Sequence, residues 1–262
     1  KYGARIFIER GSKHIAAQAE ILALQGAATP SADDIAREYQ SYAVADRIMI
    51  PADHVRQSFA RDPAAAAKLM INPYGVDLDQ FPQRALHPGV DNQLLFVGGW
   101  LLRKGVDLFA DVLRRLPDVR LTHVGGRGDT AMPDVDRFTH VDPVDQRLLT
   151  HHYAQAAVFV MPSREEGLAL VQLQALASGL ALVCSDQTGG RDLCHTPGLS
   201  ERIFEVPVDD TAALVAATER ALARVATLPR LGDDDRATLS WQAYAKRYEA
   251  HIMADRQAAT RP

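Results

Sequence analysis

Glu166 precedes Gly167-Leu168-Ala169 where the apolar run ending at Met161-Pro162 passes through Ser163-Arg164-Glu165 into a second apolar stretch that reaches Gly179. This is the pattern of a strand, a polar turn and a helix start. The first amides of a helix lack intrahelical acceptors and lie at the positive end of its dipole. Gly167, Leu168 and Ala169 are therefore expected to offer free donors to a phosphate, with Glu166 beside them. A plainer alternative makes Glu166 a charge that complements the dipole and Gly179 the residue that ends the helix.

Two glycine-bearing strand ends come earlier. In Phe96-Val97-Gly98-Gly99-Trp100-Leu101-Leu102-Arg103-Lys104-Gly105, Gly98 and Gly99 leave room for a ligand to approach the backbone, and Lys104 supplies a mobile cation for phosphate. In Val124-Gly125-Gly126-Arg127-Gly128-Asp129, a planar nucleotide base can rest against Gly125 and Gly126. Either motif alone also fits an ordinary turn or a ligand-free loop. Asp134-x-Asp136 falls in an expected loop away from the phosphate motifs, so no metal site is assigned to it. Asp46, Asp53 and His54 read as cap and surface residues.

These residues need a scaffold, and the hydrophobic pattern supplies one. Strands are expected at 94–97, 119–124, 157–161, 180–184 and 203–206, alternating with helices at 106–116, 146–156, 168–178 and 210–225, which is the alternation of a parallel, doubly wound α/β domain. The first 80 residues repeat the pattern incompletely, with strands at 6–8, 47–50 and 69–71 and helices at 15–24 and 33–42. Pro82, Pro88, Gly89 and Asp91 give the stretch between the two parts the composition of a linker. Tyr42-Ala43-Val44-Ala45-Asp46-Arg47-Ile48-Met49-Ile50-Pro51 aligns without a gap on Tyr153-Ala154-Gln155-Ala156-Ala157-Val158-Phe159-Val160-Met161-Pro162. The echo fits duplication of one unit, or two helix-to-strand junctions that look alike. A last helix at 239–253 carries Trp241, Tyr244, Tyr248 and Ile252 as a packing stripe.

With 262 residues, 47% of them hydrophobic, the chain can bury one large core or two modest ones. Its 29 basic and 33 acidic residues leave a net charge of -4, so neither nucleic acid nor an anionic membrane surface is an expected partner. No apolar run approaches the roughly 18–20 residues of a membrane span, and no integral membrane segment is expected. Cys184 and Cys194 show neither metal-ligand spacing nor a disulfide framework, which fits a reducing, cytoplasmic compartment. The first residue is Lys1 rather than Met, so the chain is expected to begin inside a longer gene product.

Taken together, these motifs resemble the retaining GT-B glycosyltransferases of the group 1 (family 4) type, which include bacterial mannosyl- and glucosyltransferases for lipids and exopolysaccharides. The family has a Gly-rich strand end followed by Lys-Gly, a proline-serine turn with Glu-Gly, and a helix carrying a second glutamate eight residues after the first. Phe96 to Gly105, Pro162-Ser163, Glu166-Gly167 and Ala175 to Gly179 match; Asn72-Pro73-Tyr74-Gly75-Val76-Asp77 with Phe81 resembles the hinge, and Leu239-Ser240-Trp241 the start of the last helix. Gln174 stands where the family has its second glutamate, and Gly99 where an arginine often follows the first glycine.

The resemblance implies an acceptor-side Rossmann-like part over 1–82, a linker over 83–92, a complete nucleotide-sugar donor domain over 93–236, and a C-terminal helix over 237–262 that returns to the first part. It implies transfer of a hexose from a nucleotide-diphosphate sugar, with retention of anomeric configuration, to an unknown sugar, lipid or small-molecule acceptor. Neither metal nor cofactor is implied. Catalysis would rest on Glu166 and Lys104. The donor would be held by Gly98, Gly99, Arg103, Lys104, Gly125, Gly126, Glu166, Gly167, Leu168, Ala169 and Gln174. Gln174 keeps an acceptor oxygen for the donor ribose but has lost the charge, and Arg103 is placed to replace the missing arginine on the pyrophosphate. His14 resembles a residue that faces the acceptor cleft in some members; a structural role at a helix start is the alternative. Two complete domains need roughly 300 or more residues, so the first strands of the acceptor domain are expected before Lys1. The substitutions at Gln174 and Gly99 also leave a second reading, a catalytically weak nucleotide-sugar-binding subunit.

Overall fold

The computed structural model describes residues 4–83, 92–196 and 198–259. Its larger sheet has six parallel strands: β4 (Gln93–Val97), β5 (Arg120–Val124), β6 (Phe138–Val141), β7 (Val158–Met161), β8 (Ala181–Ser185) and β9 (Ile203–Val206). They lie in the order β6-β5-β4-β7-β8-β9. The chain therefore enters at the centre, builds outward to one edge, crosses back and builds to the other. The order reverses between β4 and β7, and in open α/β sheets ligands bind outside the carboxyl ends of the strands at such a point.

Composition decides which strands are central. All four residues of β7 and all five of β8 are buried, as uninterrupted aliphatic runs must be when helices cover both sheet faces. Leu94, Phe96, Val158, Val160, Ala181 and Val183 point to one side, against α5 (Phe109–Arg115) and α8 (Thr211–Val225). Leu95, Val97, Phe159, Met161, Leu182 and Cys184 point to the other, against Tyr153 of α6 (Gln146–Ala154) and Leu173 of α7 (Leu170–Ala177). Each fully buried Leu, Val or Phe contributes about 1.5–3 kcal/mol, so these two strands supply much of the stability of both cores. β6 was not expected from the sequence: its four residues are partly exposed and lie at the sheet edge, so the burial signal is weak there.

The first part holds three parallel strands in the order β1-β2-β3, namely β1 (Phe7–Glu9), β2 (Arg47–Ile50) and β3 (Leu69–Ile71). They are joined by α1 (Ile15–Leu24), α2 (Ala32–Val44), α3 (Asp53–Ser58) and α4 (Pro63–Ala66). The two copies of the internal echo have the same local structure. Tyr42 and Tyr153 are both buried near the ends of α2 and α6, and β2 and β7 both stop before a proline. The linker expected at 83–92 lies outside the described residues, apart from Gln83 and Asn92.

After α9 (Asp233–Ala237), the chain returns through α10 (Trp241–Ala259) to the first sheet. Val76 bridges Ser240, and Asp255, 2% exposed, accepts from Arg5 and pairs with Arg47. Gly75 is where the crossing segments touch, because a Cβ there would meet the Trp241 amide nitrogen at 2.5 Å. The expected packing stripe on α10 is only partly buried: Trp241 itself is 41% exposed.

Candidate active site

Gly105 brings the first and third motifs together. It takes a left-handed φ of 69°, and a side chain there would run into the Pro162 carbonyl, so only glycine lets the 3₁₀ turn Leu102–Lys104 close against the end of β7. Arg164 then fastens the contact. Its amide donates to Arg103 O at 2.9 Å, and its guanidinium reaches Leu102 O at 2.6 Å and holds Asp107 with two bonds of 2.7 and 2.8 Å.

The consequence is a convergence of charge at the switch point between β4 and β7. The Lys104 ammonium lies against the Glu166 carboxylate, and Arg103 is 3.7 Å from the same oxygen. Arg103 also donates to Glu165 O at 2.9 Å. Glu165 is fully buried, accepts from Ser12, and lies 3.4 Å from Arg103 and from Gln18. Glu165 is thus a structural counter-charge, whereas Glu166 and Lys104 keep partly open side chains, 18% and 12% exposed.

The helix start sits further along the chain than the sequence pattern suggests. α7 starts at Leu170, with Ala169 as its N-cap and no side chain bonded to the cap. The uncapped first-turn amides therefore begin at Ala169 and run into Leu170 and Val171, while Gly167 and Leu168 precede the helix. Gly167 serves another purpose. A side chain there would overlap the backbone of Gly11, and its carbonyl accepts the Gly189 amide at 2.5 Å. Leu168 is buried in the core.

The two glycine-rich loops brace one another. A Cβ on Gly125 would strike the Gly98 carbonyl, and one on Gly128 the Trp100 carbonyl; Trp100 N donates to Gly126 O at 2.9 Å. Of the expected base-binding pair, only Gly126 has open space around its Cβ position. Trp100 anchors the first loop: it is fully buried, packs 5.7 Å from Phe109 and donates to Ala131 O. His123, absent from the sequence reading, is buried beneath the loop with Nε2 2.8 Å from Gly98 O and Nδ1 2.9 Å from His140 Nδ1. Gly99 meets only the flexible Leu101 side chain, at 3.3 Å.

Gln174 is 5% exposed, and its Oε1 accepts from Tyr153 Oη at 3.0 Å. His14 does not face the cleft. It is fully buried, its Nδ1 accepts the Ala16 amide of α1, and its ring lies 5.0 Å from Phe59 and 5.3 Å from Tyr42. Burial lowers its pKa, against the nearby Asp62 carboxylate.

His54, read from sequence as a surface residue, is 5% exposed. Its amide donates to Asp192 at 2.9 Å and its Nε2 lies 3.0 Å from Glu166 O, which ties the first sheet to the turn that carries Glu166. A carbonyl only accepts, so Nε2 bears the proton and Nδ1 the lone pair. Burial, reinforced by Lys13, brings its pKa down to about 4. Asp134 and Asp136 lie before the edge strand β6.

A model of the family described as "Glycosyl transferases group 1" matches residues 91–224, about half the chain. A D-inositol 3-phosphate glycosyltransferase of Geodermatophilus obscurus is 31% identical over 217 residues, covering 70% of this chain and 48% of that protein. A sulfoquinovosyl transferase of Arabidopsis thaliana is 31% identical over 168 residues, covering 57% of this chain and 32% of its own length. The chain spans about half the length, or less, of these curated relatives. Among solved structures, a sucrose-phosphate synthase from Thermosynechococcus elongatus superposes with a TM-score of 0.73 at 23% identity, over 99% of this chain and 70% of that one. Anabaena HepE in complex with UDP-glucose gives 0.68 at 11% identity, over 96% and 72%. The shared fold is the GT-B arrangement of α/β units.

Proposed function

This chain belongs to the group 1 glycosyl transferases, and from that premise we propose that it forms the donor-binding part of an enzyme that transfers a hexose from a nucleotide-diphosphate sugar with retention of configuration. Residues 93–236 are the donor unit; 1–82 and 237–262 belong to the acceptor side. The observation that carries this reading is the meeting of Lys104, Arg103, Glu166 and the uncapped start of α7 at the switch point of a doubly wound sheet.

Breaking the bond between sugar and diphosphate leaves charge on the phosphate oxygens, and fixed cations and amide dipoles in a sheltered crevice stabilise that charge without reorganising. Lys104 and Arg103 supply the cations. The amides of Ala169, Leu170 and Val171 supply the dipoles. Lys104 leaves Glu166 for the diphosphate when the donor binds, which frees the carboxylate to accept hydrogen bonds from the sugar hydroxyls. The base rests beside Gly126, and Gln174 offers its amide to the ribose. Anabaena HepE, which shares the fold, holds UDP-glucose, and this supports a sugar-nucleotide donor.

Turnover by the full-length protein, lost in a Glu166→Ala variant that still binds UDP, tests this reading. Proton NMR of the first product formed tests retention. Gln174 and Gly99 favour a second reading, a subunit that binds nucleotide sugar and turns it over poorly. Nucleotide-sugar binding without transfer to any acceptor in the intact protein would select it.

A further inference from the structure

A cavity of about 450 Å³ opens between α1, α3 and the loop that follows β8, lined among others by Lys13, His54, Gln57, Arg61, Asp186 and Arg191. Its volume lies in the range of small-molecule sites. Three of its charged groups are cations and one is a carboxylate, and Asp186 is already engaged by the amide of Val208 at 3.1 Å.

Lys13 is the feature that fold stability does not explain. The residue is 7% exposed, and its ammonium donates to a neutral acceptor, Gln187 Oε1, at 2.7 Å. Among the described residues it forms no ion pair. Burying a cation without its counter-charge is destabilising unless something else supplies the charge. Burial accordingly lowers its pKa, while Glu165 and Asp186 act at longer range to raise it. Arg61 and Arg191 hold carboxylates on their exposed side, Glu20 at 2.7 Å and Glu205 at 3.3 Å; such pairs contribute little and exchange readily.

We propose that this cavity binds the anionic group, phosphate or carboxylate, of a small acceptor, with Lys13 as its central counter-ion and Arg191 and Arg61 at the rim. The cavity touches the Glu166 turn from behind: His54, in its wall, bonds Glu166 O, and Gln187 O accepts the Glu166 amide at 3.2 Å. An acceptor anchored there by its charge extends toward the Glu166 turn. The inference rests on the reading of that turn as the donor side.

The test is a titration of the chain with inorganic phosphate and, separately, with acetate, followed by thermal shift in the presence of saturating UDP so that the donor site is occupied. At least one anion is expected to raise the melting temperature saturably, glycerol to leave it unchanged, and Lys13→Met to weaken half-saturation at least tenfold while Lys13→Arg retains it. UDP binding in Lys13→Met serves as the control for folding and is expected to be unchanged. The stronger of the two anions identifies the group recognised. The proposal is overturned if neither anion acts beyond the glycerol control, or if Lys13→Met responds like the parent. Failure of UDP to bind would count against the donor reading alone, because the comparison of the parent with Lys13→Met, repeated without UDP, still reads this cavity.

Discussion

His54 Nε2 lies 3.0 Å from the backbone oxygen of Glu166, and the His54 amide lies 2.9 Å from Asp192. One residue of α3 is thereby bonded both to the turn that carries the candidate catalytic carboxylate and to the loop after β8.

That position makes the chain acid-sensitive. Burial, with Lys13 nearby, holds the folded pKa of His54 at about 4, below the ordinary value of 6.5. Between those values the unfolded chain takes up a proton that the folded chain refuses, so stability present above pH 6.5 is lost as pH falls toward 4, by up to about 3 kcal/mol. Burial moves His14 and His123 in the same direction. Urea unfolding across this range is expected to show the loss, and His54→Asn to reduce its slope; an unchanged slope would remove His54 from the account.

Gly167 and Gly126 should respond oppositely to alanine. A Cβ at Gly167 overlaps the Gly11 backbone, whereas one at Gly126 meets nothing within 4 Å. Gly167→Ala is expected to cost about 1–3 kcal/mol by overpacking, seen as a melting temperature several degrees lower. Gly126→Ala should leave stability within about 0.5 kcal/mol and weaken nucleotide binding instead.

Glu166→Gln and Lys104→Met remove opposite ends of one contact. In the full-length enzyme each is expected to lower kcat about 100- to 1,000-fold, the scale for losing one preorganised electrostatic group. They should differ in binding: Lys104→Met weakens UDP, and Glu166→Gln leaves UDP nearly unchanged because Glu166 is assigned to the sugar. Equal effects on UDP affinity would contradict that division.

Gly99→Arg restores the side chain that the family often has there. Gly99 does not have a positive φ, and its Cβ position touches only Leu101, so the backbone accepts the change. One added charged hydrogen bond to diphosphate corresponds to about tenfold tighter UDP binding, measurable by calorimetry.

The central sheet and the Lys104 and Glu166 motifs were legible because their signals are local: buried runs at 94–97 and 158–161, and glycines at strand ends. β6 was not, since a partly exposed edge strand carries little apolar pattern. His54 was missed because the contact that gives it meaning is made across 112 residues of sequence. The internal echo held a clue. It sets Pro51 opposite Pro162, which makes Asp53 and His54 the counterparts of Arg164 and Glu165 in a loop leaving a strand's carboxyl end. His14 carried a motif-like position but is walled in by Tyr42 and Phe59, and no one-dimensional pattern conveys such enclosure. Gly167, left outside α7, meets Gly11, another contact between the two parts of the chain.

The central claim is that the Lys104 and Glu166 crevice binds a nucleotide-sugar donor. Calorimetric titration of this chain with UDP- and GDP-sugars tests it most directly. Saturable binding at a single site, weakened at least tenfold in Lys104→Met, is the result expected; absence of binding by every nucleotide sugar at millimolar concentration, or affinity indifferent to Lys104, would contradict it.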